Sequence, residues 1–219
     1  SSSAMKDLLK SPKTYWYKRK YGSASTQALR DGQLFHAMML ESDKVSNDFV
    51  FVNTLTKGKA YKEACQYHDN VFTKKEKEDA ERLVDACFRS EHFLKYMDNS
   101  KFEVPMIGEL FDYPFRGKAD ILQEDNIVDL KTTNDVQNFH LSAERLNYDV
   151  QCYIYCELFG YTPEKFVFLC LDKKSLDLAA FNCSEEFYER GKEKVIKAIK
   201  IYEDYPEESI NDYIIRGTL

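Results

Sequence analysis

The stretch from residue 101 to residue 132 decides the fold. It reads KFEVPMIGELF (101–111), YPFRGKADILQ (113–123) and NIVDLKT (126–132). β-Branched and aromatic residues run through each segment, and short polar turn signals lie near Asp112 and Asp125 between them. This pattern predicts three successive β-strands joined by short turns.

The segments on either side of these strands are mainly helical in pattern. Residues 1–100 carry apolar residues at helical spacing, and Thr73 with Glu76 forms the capping box of one helix. After the three strands, the pattern predicts a helical zone over 135–159 with a break near Asn147, strands over 165–172 and 176–182, and a helix over 184–204. We therefore predict an α/β fold, with a central mixed β-sheet flanked by helices and a helical N-terminal region.

The size and composition favour one globular domain. The 219 residues contain no internal repeat and no linker rich in Gly, Ser and Pro, so we expect a single domain over residues 1–219. Its mainly helical N-terminal part spans 1–100 and its α/β catalytic core spans 101–219. The six cysteines include no CxxC pair, which favours buried thiols over disulfides or an iron–sulfur cluster.

The charge distribution allows a local nucleic-acid contact. A formal net charge of −6 argues against a protein that coats nucleic acid non-specifically. The basic residues of the segment 6–20 are Lys6, Lys10, Lys13, Lys18, Arg19 and Lys20. Together with Tyr15, Trp16 and Tyr17, this basic run could contact a DNA end, and an ordinary amphipathic helix with exposed lysines is an equal alternative. The lysines at 192, 194, 197 and 200 indicate a solvated helix face.

No stretch of the sequence approaches the roughly 20 apolar residues that span a bilayer. The first ten residues also lack the apolar run of a secretory signal. We therefore expect no membrane association and a cytoplasmic location in a phage- or bacterium-like host cell.

The candidate chemistry lies on the second and third strands of the meander. Gly117-Lys118-Ala119-Asp120 is followed, after eight residues, by Asp129-Leu130-Lys131-Thr132-Thr133. If these strands are antiparallel neighbours, Asp120 and Asp129 can lie close on one face of the sheet. Asp129 and Lys131 are two positions apart, so their side chains share a face. Two carboxylates and one ammonium are therefore expected to converge.

These residue types suit metal-assisted hydrolysis of a phosphodiester. Carboxylate oxygens are the ligands that Mg²⁺ or Mn²⁺ prefers, and the Leu130 carbonyl could add another. A lysine can orient or deprotonate the attacking water and offset charge on the phosphate. A solvated strand face is the alternative, since Asp and Lys two apart are common there. The apolar neighbours Ile127, Val128 and Leu130 favour the catalytic interpretation, because bare charges are costly in a buried strand.

The same pattern resembles the PD-(D/E)XK nuclease superfamily, and within it the RecB-like and phage recombination exonucleases, including exonuclease VIII. Three further segments are similar to that branch: Gly32-Gln33-Leu34-Phe35-His36, the helix from Tyr148 to Tyr155, and LLKSPKTYW over 8–16. Ala119 stands where the superfamily name has proline. The resemblance covers most of residues 1–160 and implies a restriction-endonuclease-like core.

The resemblance implies further site residues. His36 would be an extra metal ligand, and Glu103 is an additional candidate ligand that matches the family placing better than Glu109. Gln151 and Tyr155, one turn apart on one helix face, would act with Asp120, Asp129 and Lys131 in catalysis. A satisfied helix histidine is the alternative for His36, and an ordinary helix surface is the alternative for Gln151 and Tyr155.

The function implied by the resemblance is a deoxyribonuclease using two Mg²⁺ or Mn²⁺ ions. It would degrade linear double-stranded DNA from 5′ to 3′ and leave single-stranded tails for recombination. A ring-shaped homo-oligomer and a single-strand annealing protein are the implied partners besides DNA. A nuclease for single strands or flaps and a catalytically inactive DNA-binding module are the two alternatives.

Overall fold

The computed structural model describes residues 1–215, apart from the side chain of Asp212. The N-terminal helices are α1 (Ser2–Lys10), α2 (Pro12–Tyr21), α3 (Gln27–Leu40), α4 (Ser42–Asp48), α5 (Lys59–Ala64), α6 (Lys74–Phe88) and α7 (Glu91–Met97). The later helices are α8 (Phe139–Arg145), α9 (Tyr148–Phe159) and α10 (Glu185–Asp204), with 3₁₀ turns at Pro163–Lys165 and Glu207–Asp212. Within residues 1–215, no helix is both long and apolar enough to cross a membrane.

A five-stranded mixed sheet forms the centre of the molecule. Its strands are β3 (Lys101–Leu110), β4 (Tyr113–Leu122), β5 (Ile127–Thr133), β6 (Phe166–Asp172) and β7 (Leu178–Asn182), in the spatial order β3-β4-β5-β6-β7. β5 and β6 are parallel, and the other neighbours are antiparallel. The parallel pair needs a crossover connection, which α8 and α9 provide. The predicted α/β fold with a mixed sheet and flanking helices is confirmed.

A second, two-stranded sheet was not predicted from the sequence. β1 (Phe49–Val52) and β2 (Asn70–Thr73) pair in parallel within the N-terminal part that the sequence suggested to be mainly helical. Four-residue strands are too short to show a clear period of two. Their pairing depends on tertiary contacts, such as the Phe49 and Phe72 rings stacked 5.2 Å apart.

Local signals placed several boundaries correctly. Thr73 ends β2 and forms the predicted capping box with Glu76 at the start of α6. Pro12 separates α1 from α2, and Asn147, at φ 51°, separates α8 from α9. Asn tolerates this left-handed conformation better than most residues.

The two faces of the sheet bury different apolar clusters. Helix α9 packs on one face with Ile127 and Phe168, and its residues 149–156 are all buried. α3, α6 and α7 pack on the other face with Val128 and Leu130. Both faces are covered, which explains why the segment from Ile127 to Leu130 has only buried residues.

Candidate active site

The site lies where β4 and β5 separate. Their ladder contains the pairs Ile121↔Val128 and Leu122↔Ile127, and the next pair in that register would be Asp120 with Asp129. At this point the Leu130 amide donates to Oδ2 of Asp120, 2.8 Å away, in place of a strand backbone acceptor. The Asp120 carboxylate therefore lies in the fork between the two strands and is 9% exposed.

Helix α3 brings His36 to this fork. The neighbouring Phe35 is fully buried in the cluster that contains Val128 and Leu130, which fixes the rotation of the helix. His36 Nδ1 lies 3.5 Å from Oδ2 of Asp120. The sequence predicted this histidine as a ligand without being able to place it, and the structure brings it to Asp120.

The edge strand β3 contributes Glu103. Its neighbours Phe102 and Val104 pair with Ile121 and Ala119, so Glu103 lies level with Asp120. Glu103 adopts a left-handed φ of 53°, a conformation that costs a non-glycine residue about 1–3 kcal/mol and is often found at functional sites. Its carboxylate also forms an ion pair with the Lys118 ammonium.

Together these three side chains form a group suited to bind a metal ion. One ligand atom from each of His36, Glu103 and Asp120 lies within 4.8 Å of the other two. Imidazole and carboxylate donors of this kind suit divalent cations such as Mn²⁺, and carboxylates suit Mg²⁺.

Asp129 lies beside this group and is 2% exposed, but it is not one of the three residues whose ligand atoms lie within 4.8 Å of one another. Its Oδ1 accepts a hydrogen bond from the Gln151 side chain, and its Oδ2 is in ion contact with the Lys131 ammonium. Among the described residues, no group reaches Oδ2 with the angles of a hydrogen bond. The Lys131 ammonium is nevertheless in contact with Oδ2, so this oxygen already has a cationic neighbour, and a carboxylate is also a ligand type that divalent cations accept.

The two aspartates carry closely spaced negative charge. Burial of the carboxyl and the neighbouring Asp129 raise the pKa of Asp120, while the His36 imidazole and the Lys131 ammonium act in the opposite direction. Removing two carboxylates from water in one place is costly unless a cation compensates them. The need for a compensating positive charge therefore indicates a cation site here, as the ligand geometry also does.

Lys131 is held in its charged form. Burial alone would lower the pKa of its ammonium, but Asp129 and Asp120 raise it above the ordinary value. Its Nζ lies 5.1 Å from the centre of the Tyr148 ring. A cation so strongly held can neutralise charge on a phosphate and donate to a water, whereas it is poorly suited to accept a proton.

Tyr155 supports the strand that carries Asp120. Its hydroxyl donates to the Lys118 carbonyl at 3.1 Å, and the side chain is 8% exposed. The ring packs directly against Gly117, where a Cβ would lie 2.9 Å from Tyr155 Cε1. Since the hydroxyl contacts backbone, the geometry supports a positioning role for Tyr155 through β4.

The structure also places residues at the site that the sequence did not single out there. Lys6 of α1 lies 4.8 Å from the centre of the Tyr148 ring, the same ring that Lys131 approaches. Tyr148 was noted only as the start of the Gln151 helix, and Lys6 only as part of the N-terminal basic run. No local signal could have joined them, because α1 and α9 meet through tertiary packing.

The aromatic residues of the basic run behave differently from one another. Trp16 stacks on Tyr202 of α10 at 5.6 Å, and its indole N–H donates to the Tyr205 carbonyl at 2.9 Å. Tyr17 is 64% exposed. Trp16 therefore holds α2 against the C-terminal helix, and Tyr17 keeps a ring available at the surface.

One lysine of the last helix departs from the solvated face that the sequence indicated. Lys194 donates to Oδ2 of Asp149 at 2.6 Å, and Asp149 is 1% exposed. A cation is needed there because an unpaired buried carboxylate is unstable. Lys194 thus belongs to the α9–α10 interface.

The fold and the family comparison define a PDDEXK-like domain. The chain belongs to the family described as "PDDEXK-like domain of unknown function (DUF3799)", whose model matches residues 1–210. The resemblance to the PD-(D/E)XK superfamily is thereby confirmed.

Solved structures resemble the chain at low sequence identity. A "Putative exonuclease" from Eubacterium rectale matches with a TM-score of 0.68 and 19% identity, covering 100% of this chain and 89% of that one. A phage-related exonuclease from Haemophilus somnus matches with a TM-score of 0.41 and 14% identity, covering 93% and 92%. The first likeness supports the fold. None of the curated protein sequences matches the chain.

Proposed function

We propose that this protein is a divalent-metal-dependent DNA exonuclease. It hydrolyses phosphodiester bonds of linear double-stranded DNA from 5′ to 3′ and produces single-stranded tails for recombination. The observation that carries the proposal is the meeting of His36, Glu103 and Asp120 within 4.8 Å. Asp129, whose buried carboxylate is in ion contact with the Lys131 ammonium, lies beside them.

The metal-binding residues are His36, Asp120, Asp129, the Leu130 carbonyl and Glu103. When bound there, two Mg²⁺ or Mn²⁺ ions supply polarisation of the phosphoryl oxygen and a lowered pKa of water. Asp120 and Asp129 lie at the fork on neighbouring strands, and the second ion is what the resemblance to the nuclease superfamily implies.

Lys131 acts as a fixed positive charge. Its ammonium is protonated beside Asp129, so it stabilises negative charge that develops on the phosphate and orients the attacking water by donating to it. The proton of that water passes to solvent or to a carboxylate of the site.

Gln151 and Tyr155 position this machinery from α9. Gln151 holds Oδ1 of Asp129 by its amide, which leaves Oδ2 toward Lys131. Tyr155 holds the backbone of Lys118, two residues before Asp120. One helix therefore fixes the separation of the two strands that carry the aspartates.

Digestion of defined DNA tests the proposal. With Mg²⁺ or Mn²⁺, wild-type protein should release nucleotides from blunt linear duplex and leave a covalently closed circle intact. Asp129→Asn should lower kcat by at least about a hundredfold, because it removes one charged ligand. Strand-specific labels at the 5′ and 3′ ends report polarity, and the controls are chelation by EDTA and unchanged thermal unfolding of the variant.

The same assay separates the alternatives. Preferential digestion of single strands or flaps would replace the duplex assignment with a single-strand nuclease. If wild type and Asp129→Asn were equally inert with both metals while wild type still bound DNA, the protein would be a DNA-binding module.

The ring-shaped homo-oligomer and the annealing-protein partner are further parts of the proposal. Light scattering with and without DNA tests the homo-oligomer.

A further inference from the structure

Helix α1 is anchored against the catalytic core. Leu8 is 1% exposed, and Met5 and Leu9 pack against the apolar cluster that contains α9 residues. Asp7 accepts from Lys18 of α2 at 2.5 Å, which fixes the helix from its other side. The direction of the Lys6 side chain is therefore set by the packing of the helix that carries it.

Lys6 reaches the Lys131 side of the active site. Its Nζ lies 4.8 Å from the centre of the Tyr148 ring, and Nζ of Lys131 lies 5.1 Å from the same centre. The two ammonium groups thus share one aromatic ring. Tyr148 begins the helix that also holds Asp129 through Gln151.

The Lys6 ammonium has little compensation for its position. Within residues 1–215, no carboxylate lies at ion-pair distance from it, although the more distant Asp129 and Asp149 offset part of its charge. Burial and the neighbouring Lys131 lower the pKa of Lys6 to about 8. A cation–π contact contributes only about 0.5–2 kcal/mol, so two half-buried ammonium groups over the same ring indicate a place for an anion.

We propose that Lys6 binds a backbone phosphate of the DNA strand next to the phosphodiester that is cut. Lys131 of β5 neutralises the reacting phosphate. Lys6 of α1, which lies over the same Tyr148 ring, binds the neighbouring phosphate of the same strand. This inference rests on the proposed nuclease function and adds a substrate-positioning residue to it. The N-terminal helix would then contribute directly to the alignment of the strand.

The test compares three variants on a blunt duplex in Mg²⁺. Lys6→Met keeps the length and the packing on Tyr148 but removes the charge, and Lys6→Arg retains it. Lys197→Met removes an equal charge from an exposed position of α10, outside the basic run, and serves as the matched control. Lys6→Met should lower kcat/KM by roughly ten- to a hundredfold, as expected for loss of a charged phosphate contact, and Lys6→Arg should recover most of it.

Two further readouts distinguish phosphate binding from a structural contact. The slope of log(kcat/KM) against log[salt] should become shallower by about 0.9 in Lys6→Met, the value for one duplex phosphate. Single methylphosphonate substitutions near the cut site each remove the charge of one phosphate. One of them should slow wild type by about as much as Lys6→Met does, and should slow Lys6→Met little further. Such non-additivity identifies the phosphate that Lys6 contacts.

The outcomes separate this inference from the function on which it rests. If wild type digests DNA and Lys6→Met behaves like Lys197→Met, the phosphate contact is refuted and the nuclease assignment stands. If Lys6→Met loses activity together with a lowered unfolding temperature, absence of any methylphosphonate position whose effect is smaller in Lys6→Met than in wild type would also refute it. If wild type digests no DNA with either metal, both proposals fail.

Discussion

The side-chain amide of Gln151 on α9 donates a hydrogen bond to Oδ1 of Asp129 on β5, across 22 positions of sequence. Both groups are buried, at 8% and 2% exposure. The hydrogen bond fixes the orientation of a carboxylate whose other oxygen contacts the Lys131 ammonium. A neutral side chain thereby controls which oxygen of Asp129 faces the proposed metal.

Gln151→Leu should therefore weaken metal activation without removing a ligand. We expect the Mn²⁺ concentration for half-maximal activity to rise about 10–100-fold, as for the loss of other groups that orient metal ligands. A metal titration of nuclease rate measures this shift. Gln137→Leu, at an exposed position, is the control, and an unchanged half-maximal concentration in Gln151→Leu would contradict the positioning role.

Gly117→Ala should disrupt the contact between β4 and α9. A Cβ at Gly117 would lie 2.9 Å from Tyr155 Cε1 and 3.3 Å from Leu158 Cδ1, so the ring must shift and its hydroxyl leaves the Lys118 carbonyl. We expect a loss of about 1–3 kcal/mol in the free energy of unfolding and a fall in activity. Urea unfolding and DNA digestion measure the two effects.

Gly32→Ala provides the matched glycine control on α3. A Cβ there would meet nothing within 4 Å, and alanine in a helix is favoured over glycine by about 0.5–1 kcal/mol. This variant should be slightly more stable than wild type. Equal stability of Gly117→Ala and Gly32→Ala would show that the Tyr155 contact does not constrain β4.

Lys194→Met should destabilise the α9–α10 interface. It leaves Asp149, 1% exposed, with only the Val150 amide, which donates to Oδ1 at 2.9 Å, and an Arg190 Nε at 3.9 Å. We expect a loss of about 2–4 kcal/mol in the free energy of unfolding, because a buried carboxylate loses its main cation. Lys197→Met on the exposed face of the same helix should change stability by less than about 0.5 kcal/mol, and similar losses in both variants would refute this role of Lys194.

Glu76 should give the protein a pH-dependent stability. Burial opposes its ionisation, but hydrogen bonds from Gln27 and Thr73 and the charge of Arg30 lower the pKa of Glu76 from 4.5 to about 2. Because the folded-state pKa is the lower one, this stabilisation is complete above about pH 5 and is lost as the pH falls toward 2.

Glu76→Gln should lower the free energy of unfolding by about 1–2 kcal/mol at pH 7, after allowance for solvent screening. The difference from wild type should shrink between pH 5 and pH 3, as measured by urea unfolding at each pH. Glu78→Gln, at an exposed position of the same helix, is the control. A difference that is constant with pH would show that Glu76 acts through the shape of its side chain alone.

The sequence by itself determined the meander and the relation of Asp129 to Lys131. Alternation along a strand has a period of two, and the turn residues between the strands are local signals, so β3, β4 and β5 could be predicted without tertiary information. The capping box at Thr73 and the break at Asn147 are equally local. The single-domain organisation of residues 1–219 and the catalytic roles of Asp120, Asp129 and Lys131 stay predictions that the experiments above address.

Only the tertiary structure decided what surrounds that pair of strands. The placement of His36 follows from burial of Phe35 between α3 and the sheet, and Glu103 reaches Asp120 through a left-handed backbone that no residue pattern announces. The positions of Lys6 over Tyr148 and Lys194 against Asp149 depend on how whole helices pack. Such contacts join residues far apart in the chain, and their geometry is set by the summed packing of many side chains, which local periodicity does not contain.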